Sequence, residues 1–169
     1  YKKSVPAFLK IIYQLKEKKT LFIFQNATAP DIACKTLCYA PLIDLFACNE
    51  FEAAAIAKEE VKPDLDTVKK FRDLGFTNFI ITFGDQGVMV HIQGETWNEK
   101  PYTPHTVVDT IGAGDAFASG FLFGFLNQKP VKRCIQYGLA CAKETLLTRQ
   151  TTSDLLCPTL LETYPDHNQ

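Results

Sequence analysis

Val107-Val108-Asp109-Thr110-Ile111-Gly112-Ala113-Gly114-Asp115-Ala116-Phe117 joins a β-branched run to a glycine-rich turn and then to an apolar segment. This is the order expected where a strand hands over to a helix. Glycines on either side of Ala113 let successive backbone N–H groups point the same way, at the positive end of the helix that follows. Gly112, Ala113 and Gly114 therefore read as a cradle for negative charge of the phosphoryl kind. Asp115 falls in the first helical turn, where its carboxylate can reach a hydroxyl beside the cradle. Asp109 and Thr110 lie on the strand side, suited to fixing the turn or a cation. An ordinary glycine turn opening a core helix would account for the glycines but not for both aspartates.

Outward from this turn, the spacing predicts a helix that follows the glycines and runs to about Leu126, and a last long helix from Val131 to about Leu147. Phe117, Phe121 and Phe125 are expected to fill core, and Ala116, Gly120 and Gly124 to allow close packing against a sheet. A short strand is expected near Thr106–Val108. Towards the N-terminus, Val88–Ile92 and Glu95–Asn98 read as a hairpin turning near Gln93-Gly94, and Asn78–Phe83 as a buried strand. Asp64 is a helix cap, Leu65, Val68, Phe71 and Leu74 form one stripe, and Gly75 ends that helix. Further back come a strand at Ile43–Ala47, a helix continuing through Ala57, a short helix at Pro30–Cys38, a strand at Thr20–Phe24 and an amphipathic helix over Val5–Leu15. Alternating strands and helices predict an α/β fold, a layered mostly parallel sheet flanked by helices, as a single domain over residues 1–169.

In such sheets ligands sit beyond the carboxyl ends of strands. Three polar turns fall there: Asn49-Glu50-Phe51-Glu52, Thr82-Phe83-Gly84-Asp85-Gln86-Gly87, and Asp109 to Asp115. Read singly, the first two are weak. Asn49 with Glu52 is also a capping-box pattern, and Gly84 and Gly87 also suit a turn that needs positive φ.

The totals fit a globular chain. With 169 residues and 46% hydrophobic content it can bury a core. A formal net charge of -1 without a long basic run argues against a nucleic-acid surface or a membrane anchor. The longest apolar stretch, Ala116–Leu126, is far short of a membrane span, and the opening Tyr1-Lys2-Lys3-Ser4-Val5-Pro6 predicts no signal peptide. Six cysteines lie in apolar surroundings without a C-x-x-C pair, so buried free thiols in a reducing cytoplasm are expected rather than zinc or disulfides.

Asp-Thr-x-Gly-Ala-Gly-Asp, as Asp109 to Asp115, closely resembles the signature of the ribokinase-like (PfkB) family of sugar and nucleoside kinases. With each residue type used at roughly 5 to 8%, a chance match of six fixed positions is on the order of one in 10^7 per window. Asn49-x-x-Glu52 resembles the family's Asn-x-x-Glu motif, and Thr82-x-Gly84-x-x-Gly87 its loop beside the nucleotide. The resemblance covers about Thr20 to Leu147 and corresponds to the C-terminal half of a full member, with no counterpart of the glycine-glycine motif or the small β lid. Gln25-Asn26-Ala27-Thr28 stands where relatives often place an acidic residue followed by proline, which leaves that segment without an assigned role.

The resemblance implies a phosphotransferase that uses ATP and magnesium on a small sugar or nucleoside. Asp115 would be the base, and Gly112, Ala113 and Gly114 the anion cradle. Asn49, Glu52, Thr82, Gly84, Gly87 and Thr110 would face the nucleotide, with Glu52 acting indirectly on magnesium. Asp109 and Ile111 would hold a monovalent cation such as potassium. It also implies that Gly138–Ala142 and the run Thr145–Ser153 lie near the adenine, the latter resembling pseudouridine kinases most. A homodimer would run through the lid region. The alternatives are another acceptor (ribose, a fructose phosphate or 2-keto-3-deoxygluconate) or a non-catalytic nucleotide-binding kinase half. No Rossmann or Walker loop is present.

Overall fold

A computed structural model describes residues 12, 14–16, 21–102, 104, 106–149, 153 and 157–164. Five strands form one sheet in the order β1-β2-β3-β4-β5: Phe24–Asn26, Leu45–Asn49, Phe79–Thr82, Val88–Ile92 and Glu95–Glu99. β1, β2 and β3 are parallel, and β3, β4 and β5 antiparallel. Leu45–Cys48, Phe79–Ile81 and all of β4 are buried, which is why these strands read as continuous apolar runs rather than as alternation. The hairpin turns at Gln93 and Gly94, both at positive φ, as expected.

Helices cover both faces of the sheet. On one side α1 (Pro30–Ala33), a 3₁₀ segment (Cys34–Leu42), α2 (Glu50–Ala57) and α3 (Leu65–Asp73) enclose Phe46, Phe71, Phe76, Phe79 and Met89. On the other, α4 (Ala113–Leu126) and α5 (Val131–Leu146) bring Phe117, Phe121, Ile135 and Leu139 against Leu45, Ala47, Ile80 and Val90. The expected α/β layering is thus what the chain adopts, with the parallel strands continued by the antiparallel hairpin.

Several local expectations are corrected. The strand placed at Thr20–Phe24 begins only at Phe24, because the Ile23 amide is taken by the Asp44 carboxylate at 2.7 Å. The helix placed at Pro30–Cys38 gives way to 3₁₀ geometry after Ala33, in a segment whose Pro41 has no N–H for an i→i−4 bond. The strand placed near Thr106–Val108 is not formed. Val107 and Val108 are exposed, and the Val108 amide bonds the carbonyl of Leu146 at the end of α5 instead. In α3, Asp64 caps as expected, accepting from the Thr67 amide at 2.9 Å. Leu65, however, is 75% exposed: it stands at the first helical position, and the buried Thr67 takes its place on the inner face. The Val5–Leu15 helix lies mostly outside the described residues.

The small residues of α4 also pack differently from expectation. Phe117 and Phe121 face the sheet, while Gly120 and Gly124 face α5. A Cβ on Gly120 would stand 2.6 Å from the Tyr137 carbonyl oxygen and 2.6 Å from the Cys141 sulfur. The two helices therefore touch through backbone, and a side chain there would push them apart. A further helix, α6 (Pro158–Thr163), docks on α5. Its Glu162 accepts from the Tyr137 hydroxyl and pairs with Lys129 at 3.2 Å and Arg133 at 3.4 Å. The Tyr137 hydrogen bond, then those from Lys129 and Arg133, hold the Glu162 carboxyl down at about 2.

All six cysteines are free. Cys48, Cys134 and Cys141 are buried as expected, but Cys34 is half-buried and Cys38 and Cys157 are exposed: Cys34 opens the 3₁₀ segment, Cys38 lies midway along it with its thiol on the Lys35 carbonyl, and Cys157 caps α6. Burial pushes the Cys134 and Cys141 thiols up to about 11. No helix among the described residues is long and apolar enough to cross a membrane.

Gly120→Val is expected to lower the unfolding free energy by about 2–3 kcal/mol through overpacking at the α4–α5 contact. Urea unfolding measures it, and an unchanged midpoint would contradict the backbone contact.

Candidate functional site

Parallel pairing sets the site. Asn26 is opposite Ala47 and Asn49 is opposite Thr82, so three strands end in polar side chains at one rim of the sheet. The N-terminus of α4 lies across that rim. Together they line a cavity of about 290 Å³ that holds Asn26, Asn49, Glu52, Thr82, Gly112 and Asp115. Beside it a second cavity of about 420 Å³ is walled by Pro101, Tyr102, Val107, Leu139, Ala142 and Leu146. Asn49, Thr82, Thr110, Gly114 and Phe117 belong to both. They form a neck between a polar chamber and an apolar one.

The turn before α4 is built as the sequence suggests. Asp109 Oδ1 accepts from the Ile111 amide at 3.0 Å, so this carboxylate fixes the turn. Gly112 caps the helix at φ 84, a conformation that costs an L-residue roughly 1–2 kcal/mol. The Ala113 amide bonds Thr110 weakly at 3.3 Å. The amides of Gly112, Gly114 and Asp115 have no backbone acceptor among the described residues. A Cβ on Gly114 would meet nothing within 4 Å, so the cradle opens to the cavities rather than into packed core. Asp115 and Ile111 are exposed.

At the end of β2 the capping box forms in full. Asn49 accepts from the Glu52 amide at 2.9 Å, and Glu52 accepts from the Asn49 amide at 2.9 Å. Glu52 is 4% exposed yet lines the polar cavity. The cap and the cavity wall are the same two residues. Next to them burial pushes the Cys48 thiol upward, with the Glu52 charge adding to the effect. At the end of β3, Thr82 stands at the neck, and Gly84 and Gly87 border the apolar cavity. Gly87 is also demanded by the fold: its φ is 104, and a Cβ would fall 2.0 Å from the Glu99 carbonyl oxygen.

Leu139, Ala142 and Leu146 of α5, within the stretches expected near the adenine, line the apolar cavity. Residues not singled out from the sequence complete its walls: Lys143 from α5, and Pro101 and Tyr102 from the segment after β5. Glu50 and Asp85 face the same cavity. Burial raises the Glu50 carboxyl, with the Asp85 charge adding to it. Asn26, left without a role by the sequence, donates its amide to Asp115 Oδ1 at 2.6 Å. Its only sequence signal is a polar residue at the carboxyl end of an apolar strand. Of the run Thr145–Ser153, Thr145 is buried and bonds the Cys141 carbonyl at 3.0 Å, and Thr151 and Thr152 lie outside the described residues.

The chain that builds this rim, helix N-terminus and carboxylate has relatives in sequence and in fold. The model of the pfkB family carbohydrate kinases matches residues 4–157, and the chain belongs to that family. It is 35% identical over 106 residues to the cytidine kinase of Thermococcus kodakarensis, covering 62% of this chain and 37% of that protein. Against the ribokinase of Haemophilus influenzae it is 29% identical, covering 92% of this chain and 50% of the relative. In structure it resembles a carbohydrate kinase from Agrobacterium tumefaciens (TM-score 0.74, 26% identity, 90% of this chain and 48% of the other). The fold is also that of Arabidopsis thaliana ribokinase complexed with ribose and ATP (TM-score 0.71, 23% identity, 81% and 46%). The chain spans half or less of the length of these relatives.

Asn49→Ala is expected to lower stability by about 1 kcal/mol by removing the cap, while Glu52→Gln stays within about 0.5 kcal/mol because the amide oxygen still accepts from Asn49. Thermal unfolding of both variants decides it, and the reverse order would refute the capping role.

Proposed function

We propose that the protein moves the γ-phosphoryl group of ATP to a hydroxyl of a sugar or nucleoside. The observation that carries this is the amide cradle of Gly112 and Gly114 beside Asp115, at the neck between a polar and an apolar cavity. The flat base and ribose suit the apolar wall of Tyr102, Leu139, Ala142 and Leu146, with Gly84 and Gly87 giving close backbone approach. Phosphates then run along the neck past Asn49, Thr82 and Thr110. The acceptor enters the polar cavity.

In this reading the acceptor oxygen attacks the γ-phosphorus in line, the bond to the ADP oxygen breaks, and the hydroxyl proton passes to the Asp115 carboxylate. The Gly112–Gly114 amides take the charge that spreads over the phosphoryl oxygens. A loose transition state gives up its proton late, so the orientation of the Asp115 carboxylate matters more than its basicity. Among the described residues no cluster of three or more His, Cys, Asp or Glu could cage a metal. Glu52 and Asn49 therefore fit a magnesium ion held through water and phosphate oxygens, where it would offset phosphate charge. The Asp109–Ile111 turn is the place for a monovalent cation such as potassium. Six free thiols support a reducing cytoplasmic setting.

Among acceptors, pseudouridine is the first to try, supported by the resemblance of the Thr145–Ser153 run and by a nucleoside kinase among the relatives. Ribose, fructose phosphates, 2-keto-3-deoxygluconate and adenosine complete the panel. ATP consumption by the full-length protein against that panel tests the reading, and turnover with none of them, or with water alone, would overturn it. On the accepted substrate, Asp115→Asn is expected to lower kcat at least about 10²-fold with nucleotide binding nearly intact. Unchanged turnover removes Asp115 from the mechanism. Potassium is expected to raise the rate over a bulky organic cation, and equal rates would discard the cation site.

A further inference from the structure

We infer that Asn26 is a positioning residue for Asp115: its side-chain amide holds one carboxylate oxygen so that the other faces the acceptor hydroxyl. The inference rests on the phosphotransfer reading above. Along β1 the side chains alternate. Gln25 turns to the α1 side and donates to Thr36 Oγ1 at 2.6 Å, while Phe24 packs with the α4 side of the sheet and Asn26 reaches across 89 positions of sequence to Asp115. At 2.6 Å from a carboxylate oxygen, the atom presented must be the N–H donor, since two acceptor oxygens would repel. Among the described residues, Asn26 is the side-chain partner of Asp115.

The chemistry of an amide suits this place. It donates to the carboxylate without itself gaining or losing a proton near neutral pH, so Asp115 remains the one acidic group at that spot able to take a hydrogen. A second carboxyl at the same distance would share a proton with it, because like charges that close cannot both ionise. Cys48 from β2 and Glu52 from α2 are the other titratable groups of the cavity, and Glu52 is engaged with the Asn49 amide. With Oδ1 held by Asn26, Oδ2 is left for the substrate, and the carboxylate loses the freedom to swing about its χ angles. The backbone pairing of Asn26 with Ala47 does not involve the side chain, so the residue can be changed without unmaking β1.

Two variants of the full-length protein test this. Asn26→Ala is expected to lower kcat about 10- to 100-fold while KM for ATP moves less than about threefold, since orientation rather than binding is lost. In Asn26→Asp, carbon-13 labelling of the aspartate carboxyls is expected to show residues 26 and 115 titrating as a coupled pair, with one step raised more than about one unit above the ordinary carboxylate range. The second readout needs no turnover. An active wild type with an equally active Asn26→Ala overturns the positioning role alone. Independent titration of the two carboxyls overturns the contact itself. A wild type with no acceptor in the panel overturns the phosphotransfer reading and the inference with it.

Discussion

Phe117 and Phe121, buried between α4 and the sheet, fix where α4 begins, and the rest of the site depends on that position. The helix is pinned on its other side by the Gly120 contact with the Tyr137 carbonyl. Held on two faces, α4 cannot slide along its axis by a residue without either opening the sheet side or colliding with α5. Its first turn is therefore delivered to the carboxyl ends of β1, β2 and β3, where polar side chains are already in register. The apolar packing of one helix thereby sets the distance from a carboxylate on α4 to an amide on β1.

Much of this was legible in the sequence, for physical reasons that differ from place to place. The central strands and the hairpin show because burial on both faces demands long apolar runs and the reversal demands positive φ at Gln93 and Gly94. The turn at Asp109–Asp115 shows because its glycines and carboxylates satisfy separate requirements at once. Less legible were features that depend on partners distant in sequence. Val107-Val108 has strand composition, yet the amide of Val108 bonds the end of α5. Leu65 fits a helical stripe, yet its first-turn position turns it to solvent. The inward glycines of α4 could be seen as close-packing residues, but which surface they meet is decided by α5. Pro101 and Tyr102 join the apolar cavity only because the segment after β5 folds back beside α5, and Asn26 acquires a partner only when β1 and α4 are brought together.

Asn49 and Glu52 show that a structural and a chemical reading of one motif need not compete. The reciprocal bonds satisfy amides that α2 would otherwise leave open. They also hold two oxygen-bearing side chains at fixed angles on the cavity wall, one of them almost completely buried. A pair left to choose its rotamers would lose that orientation. Gly87 has the same double character, since the backbone that needs its missing side chain also borders the apolar cavity.

β1 is three residues long and stands last in the described sheet, bonded through its ladder to β2 alone. The hydrogen-bond donor at its tip is carried by a strand with one ladder neighbour among the described residues, opposite a carboxylate mounted on a packed helix. Anything that stiffens that border, a further chain segment or a bound molecule bridging the rim, would sharpen the geometry of the carboxylate without touching it.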